Sequence, residues 1–130
     1  MKPETHIFKK AAGAIKGLAD ISFEGSSDRH PDGFPVDGIA TIRVRGSVIK
    51  EPYIVKQTIR ADFIHLLSLL QHDKPNGSLL LVTSYVSEKI GEQLRAANIH
   101  FVDMAGNAFL VQNDLFLFVI GRRLDREEVP

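Results

Sequence analysis

Residues 78–85 read "SLLLVTSY", an apolar run with almost no alternation. A stretch that short and that uniformly apolar fits a strand covered on both faces. Such a strand cannot stand alone. It needs helices on its sheet, and two are written beside it: "ADFIHLLSLLQHD" (61–73) before and "SEKIGEQLRAAN" (87–98) after, with Ser87 as a cap for the second. "IHFVDM" (99–104) then returns as a strand. Strand, helix and strand in this order predict a right-handed parallel crossover, and with it a mixed α/β sheet.

The rest of the chain fits around that unit. Ile7, Phe8, Ala11, Ala12, Ile15 and Leu18 fall three and four apart, which predicts an amphipathic helix ending around Gly17 to Asp20. "ISFEG" (21–25) predicts a short strand, and "SSDRHPDGFPVDG" (26–38) a loop. In "IATIRVRG" (39–46), Ala40, Ile42 and Val44 alternate with Ile39, Thr41, Arg43 and Arg45, the pattern of a half-buried strand with arginines on its open face. A turn around "GSVIKEP" leads to a strand at "YIVKQT" (53–58). Pro75, Asn76 and Gly77 end the second helix. "NAFLVQ" (107–112) and "LFLFVIG" (115–121) predict two closing strands, the last either central or an edge. The expected order is α-β-β-β-α-β-α-β-β-β.

Composition narrows the class. At 130 residues the chain is one domain, here assigned to residues 1–124 with 125–130 as a charged tail, and "RRLDREEVP" is expected to pack nothing. It has no cysteine, which excludes disulfides and thiol chemistry and suits a reducing compartment. Sixteen basic residues balance sixteen acidic ones, so overall charge does not point to nucleic acid. No apolar run approaches the roughly 20 residues of a membrane span, and the N-terminus lacks the apolar centre of a signal peptide. The expectation is a cytoplasmic domain without membrane contact.

Motifs that carry chemistry are few. Asp28, His30, Asp32 and Gly33 resemble the first half of a calcium loop, but Ile39 stands where its bidentate glutamate belongs. His65 and His72 lack a third ligand, and all five histidines are expected at the surface or its boundary. Ser26, Ser27, Ser84 and Ser87 have no nucleophile elbow. "FVDMAGNAFLV" (101–111) predicts a hairpin in which Gly106 and Asn107 supply positive φ and Asp103 sits at the mouth of the turn.

Asp37 opens one strand, Lys56 lies in the next, and Arg60 begins the following helix, so Asp37 and Lys56 meet at one end of the sheet. In this, the chain resembles the PD-(D/E)XK restriction-endonuclease-like superfamily, a mixed sheet flanked by helices. The resemblance implies two acids holding magnesium and a lysine activating water. Asp37 and Lys56 match. The middle acid is replaced by Ile54, which cannot ligate a hard cation, and Glu51 and Gln57 point to other faces of the strand. Cleavage is therefore argued against, and no metal or cofactor is expected. A magnesium nuclease using a displaced acid, Glu51 or Glu24, is the alternative.

"LRAANIHFVDMAGNAFLV", running on to "IGRR", closely resembles a segment of abortive-infection-type (AbiEi-like) antitoxins of bacterial type IV toxin-antitoxin systems and related transcriptional regulators. Residues 35–123 are covered, and Asp103, Gly106 and Asn107 carry most of the likeness. The resemblance implies a nuclease-like domain preceding a winged helix-turn-helix, for which the chain has no room before Pro130; 125–130 would be a linker to it. Arg43, Arg45, Lys50, Lys56 and Arg60 make residues 42–60 locally basic. These five are the expected DNA-binding residues, with Arg43 and Arg45 on one strand face. The expected function is an inactive nuclease-like domain that binds DNA, a cognate toxin or another protein. A homo-oligomer assembling through "LFLFVIG" is the third reading.

Overall fold

The computed structural model describes residues 3–25, 36–71, 79–112 and 115–123. The elements are α1 (Pro3–Ala14), β1 (Asp20–Gly25), β2 (Gly38–Val44), β3 (Ser47–Lys56), α2 (Ala61–Gln71), β4 (Leu80–Thr83), α3 (Glu88–Ala96), β5 (His100–Asp103), β6 (Ala108–Gln112) and β7 (Leu115–Val119). The seven strands form one mixed sheet in the order β1-β2-β3-β4-β5-β6-β7. β3, β4 and β5 are parallel, joined by α2 and α3, while β1-β2-β3 and β5-β6-β7 run antiparallel. The mixed α/β class expected from the apolar run follows. β4 is buried at all four positions.

Alternation along the strands builds two cores. Ala40, Ile42, Val44, Ile49, Tyr53, Val55, Leu80, Val82 and Val102 face α1, whose Ile7 and Ala11, with Ile15 just beyond it, complete that layer. Ile54, Leu81, Phe101 and Phe109 face the other way and pack with Ile64 and Leu67 of α2 and Leu94 of α3. Burial of these side chains, at roughly 25 cal/mol per Å² of apolar surface, is what holds helices to sheet. Ser87 caps α3 by accepting a hydrogen bond from the Ile90 amide at 3.2 Å. Among the described residues, no helix is long and apolar enough to cross a membrane.

Local expectations are corrected at α1 and at the start of β3. α1 ends at Ala14 rather than near Asp20, and Leu18 lies in the turn beyond it, 41% exposed. The second hairpin strand begins at Ser47, not Tyr53, because the reversal is the two-residue step Arg45-Gly46. Pro52 is accommodated where β3 has β2 but no β4 beside it, since β4 pairing starts at Tyr53; proline tolerates such an edge position. On α2, Leu66 and Leu69 are exposed, at 49% and 58%. The calcium-like loop, Ser26, Ser27, His30, His72, the Pro75-Asn76-Gly77 stop and residues 124–130 lie outside the described residues.

Candidate functional site

The C-terminal ends of the parallel strands converge, as they do where α/β sheets gather their sites. Lys56, Thr83 and Asp103 are partners in register across β3, β4 and β5. Asp37 reaches the same edge, because β2 runs antiparallel to β3. Its backbone N–H donates to the Tyr53 carbonyl at 2.9 Å, and its Oδ2 accepts from the Val55 N–H at 2.8 Å. The carboxylate thus ends the β2-β3 ladder. Burial of Tyr53 between Phe8 and Phe23 pushes its phenol above the ordinary value, and the charge of Asp37 adds to this.

Asp37 and Lys56 therefore lie at the same end of the sheet, but the β3 position two before Lys56 is apolar. Ile54 is buried in the α2-α3 core. Lys56 is exposed and holds its ammonium 5.0 Å from the centroid of the Phe63 ring, a cation-π contact to α2. Arg60 supplies the carbonyl that opens α2 and makes only a loose pair with Asp62, at 3.8 Å and some four-fifths exposed on both sides. Thr83 and Ser84 both donate to the Gln57 carbonyl, at 3.3 and 2.5 Å.

The displaced acid is elsewhere. Glu51 is 3% exposed, on the α1 side of β3, and both its oxygens lie within 3.1 Å of His100 Nδ1. The Val111 N–H donates to His100 Nε2 at 3.2 Å, so that nitrogen carries the lone pair and Nδ1–H faces Glu51. His100, 2% exposed, corrects the surface expectation for the histidines. The side chain of Glu24 lies outside the described residues. Among the described residues, no three His, Asp or Glu side chains gather into a metal site.

Asp103 does more than sit at a turn. Oδ1 accepts from the Ala105 and Asn107 amides at 2.9 and 2.8 Å; Oδ2 accepts from the Val86 amide at 2.7 Å and from Asn107 Nδ2 at 2.8 Å. Asn107 in turn behaves as a peptide group. Its Oδ1 accepts from the Arg122 N–H at 2.9 Å and its Nδ2 donates to the Arg122 carbonyl at 3.0 Å. One fully buried carboxylate and one fully buried amide thus join the β5-β6 turn, the entry to α3 and the segment after β7. Two expectations change here. Gly106 alone takes positive φ, at 96°, while Asn107 acts through its side chain. Arg122, assigned to a tail that packs nothing, is anchored by its backbone. Asp103 and Asn107 tie these segments together, and burial pushes the Asp103 carboxyl above its ordinary value against the pull of its four hydrogen bonds.

The basic residues divide into two groups. Arg43, Arg45 and Lys50 are exposed at the turn end of the β2-β3 hairpin, whereas Lys56 and Arg60 lie at its other end. Nine residue steps along β3 at about 3.3 Å each put roughly 30 Å between Ser47 and Lys56. Arg45 does not share a strand face with Arg43. It has left the strand, with φ 49°, for the turn. Among the described residues, Arg43, Arg45 and Lys50 have no acidic side chain within ion-pair distance, although Asp20 stands opposite Arg43 in the β1 register. The chain matches no protein family, no curated protein and no solved structure.

The missed contacts have one source. Glu51 with His100, Asp103 with Val86 and Asn107 with Arg122 join residues 15 to 49 positions apart. The single local hint was chemical: an acid and a histidine inside otherwise apolar strands.

Proposed function

We propose that this is a non-cleaving, restriction-endonuclease-like domain of a cytoplasmic, antitoxin-type transcriptional regulator, which binds duplex DNA through the β2-β3 hairpin. The observation that carries the reading is the exposed cluster of Arg43, Arg45 and Lys50, three cations with no ion-pair partner among the described residues, at one end of a strand pair. Such a cluster meets phosphates at little desolvation cost and gains from counterion release. The three-antiparallel, two-crossover strand order and the placement of Asp37 and Lys56 at one end of the sheet support the nuclease-like part. Ile54 in the core and Glu51 bonded to His100 support the non-cleaving part, because neither supplies a second carboxylate beside Asp37 for a magnesium ion.

The test is duplex binding at low and physiological salt with magnesium and product analysis in the same tubes. Salt-sensitive binding without product, weakened by Arg43→Ala with Lys50→Ala and unchanged by Lys9→Ala on α1, is the expected result. Product that disappears in Asp37→Ala would restore the magnesium nuclease instead. A second reading, assembly of two or more copies, is favoured by β7. It is an edge strand of apolar sequence whose Phe116 is 65% exposed. Solution mass checks it.

A further inference from the structure

The turn that closes the β2-β3 hairpin is built with an unfavourable residue. Val44 pairs with Ser47, so Arg45 and Gly46 form a two-residue loop, with φ of 49° and 86°. Positive φ at both central positions is the type I′ pattern, which favours asparagine, aspartate or glycine at its first position. Arginine there puts a Cβ in the left-handed region, where only glycine and short polar residues are at ease. Backbone held in such a region points toward a role for the side chain that it carries.

The placement of the turn says what that role is. β1 pairs with β2 no further than Arg43, and β4 pairs with β3 only from Tyr53. Arg45 to Ser47 therefore lie beyond the pairing of both neighbouring strands, while Val44 stays buried in the core. Open space surrounds Gly46, since a Cβ there would meet nothing within 4 Å. Arg45, Gly46, Ser47 and Val48 are all exposed, Val48 at 53%. The tip is a narrow two-stranded ribbon, small at Gly46 and Ser47, ending in a cation, with Arg43 one pair and Lys50 three pairs behind the closing Val44–Ser47 pair.

We propose that this tip enters the major groove of B-form DNA, with Arg45 directed at base edges and Arg43 and Lys50 at the flanking phosphates. The proposal rests on the DNA-binding reading above and specifies its geometry. A groove about 12 Å wide and 8.5 Å deep admits a two-stranded ribbon, and arginine is the side chain that pairs bidentately with guanine O6 and N7 there. The major groove of A-form RNA is deep and too narrow for side chains to read. The hairpin therefore discriminates between the two duplexes by shape, before any sequence is read.

The experiment is an anisotropy titration of the whole chain against a mixed-sequence DNA duplex and the RNA duplex of the same sequence, at two salt concentrations. Three proteins are compared: wild type, Arg45→Asn, and Arg43→Ala with Lys50→Ala. Arg45→Asn creates the Asn-Gly pair that this turn prefers, so the hairpin is retained. Expected are preference of the wild type for DNA by about tenfold or more, loss of most of that preference in Arg45→Asn, and a salt slope reduced by about 2 in the double variant. DNA binding by Arg45→Asn equal to wild type, with the double variant weakened, overturns the groove proposal and leaves the DNA-binding reading standing. Equal wild-type affinity for the two duplexes also overturns it. No wild-type binding to either duplex at low salt overturns both.

Discussion

Among the described residues, two sharp reversals turn on glycine and are built in opposite ways. At Arg45-Gly46 the backbone turns in the open, its conformation set by the strand pairing on either side and opposed by the residue at its first position. At Asp103 to Asn107 the turn is buried, and a carboxylate with four donors fixes it. The comparison separates two uses of a turn. The buried one is over-determined by polar contacts that join distant parts of the chain, which is the mark of a structural joint. The exposed one holds a cation at an unfavourable φ, the feature on which the proposed DNA contact rests.

The largest effect expected from breaking this contrast is at Asp103. Asp103→Ala leaves buried N–H groups of Val86, Ala105 and Asn107 without an acceptor and should cost about 3 kcal/mol, near 10 °C in Tm. Thermal melts check it, and a change under 1 kcal/mol would deny the joint its role. Asp103→Asn should cost nearly as much, because its NH₂ must face one pair of donors. The pH dependence of the difference carries a sign. Burial raises the native carboxyl above 3.8, so on raising pH the unfolded chain releases its proton before the folded one does. Wild-type stability therefore falls relative to Asp103→Asn as pH rises through the interval just above 3.8. A rise over that interval would mean that the four donors outweigh desolvation.

Gly106→Ala comes next. Its φ of 96° is strained for any Cβ, and the added carbon would lie 2.8 Å from Arg122 Nη1 and 3.2 Å from the Ala14 carbonyl. The guanidinium can swing away; the carbonyl at the end of α1 cannot do so as readily. A loss of about 1–2 kcal/mol is expected in chemical denaturation. Arg45→Asn, the smallest effect, has the opposite sign. Relief of the left-handed arginine should add about 0.5–1 kcal/mol. A destabilised Arg45→Asn would show that the arginine makes contacts that hold the turn, and the contrast between the two reversals would fail.

What the sequence discloses follows the range of the interaction. Periodicity over a few residues predicts the helices and the doubly covered β4, and the Ser87 cap is read from one residue and its setting. The placement of Asp37 and Lys56 at one end of the sheet also follows, since a hairpin brings its two strands together. The start of β3 was obscured by Pro52 within "GSVIKEP", because nothing local reveals that β4 stops short of it. The separation of Arg43 and Arg45 from Lys56 depends on that same strand length. Glu51 and His100 are 49 positions apart, and only the completed sheet brings them within 3 Å. The Asp103-Gly106-Asn107 motif was visible as a turn, but its partners, Val86 and Arg122, lie on other elements.

The pairing of the Asn107 amide with the backbone of Arg122 has a consequence for how the chain opens. The amide protons of Val86, Ala105, Asn107 and Arg122 are all held by two side chains, those of Asp103 and Asn107. Their exchange with deuterated solvent is then gated by one shared event rather than by four local frayings. The backbone after β7 opens with the turn that follows β5.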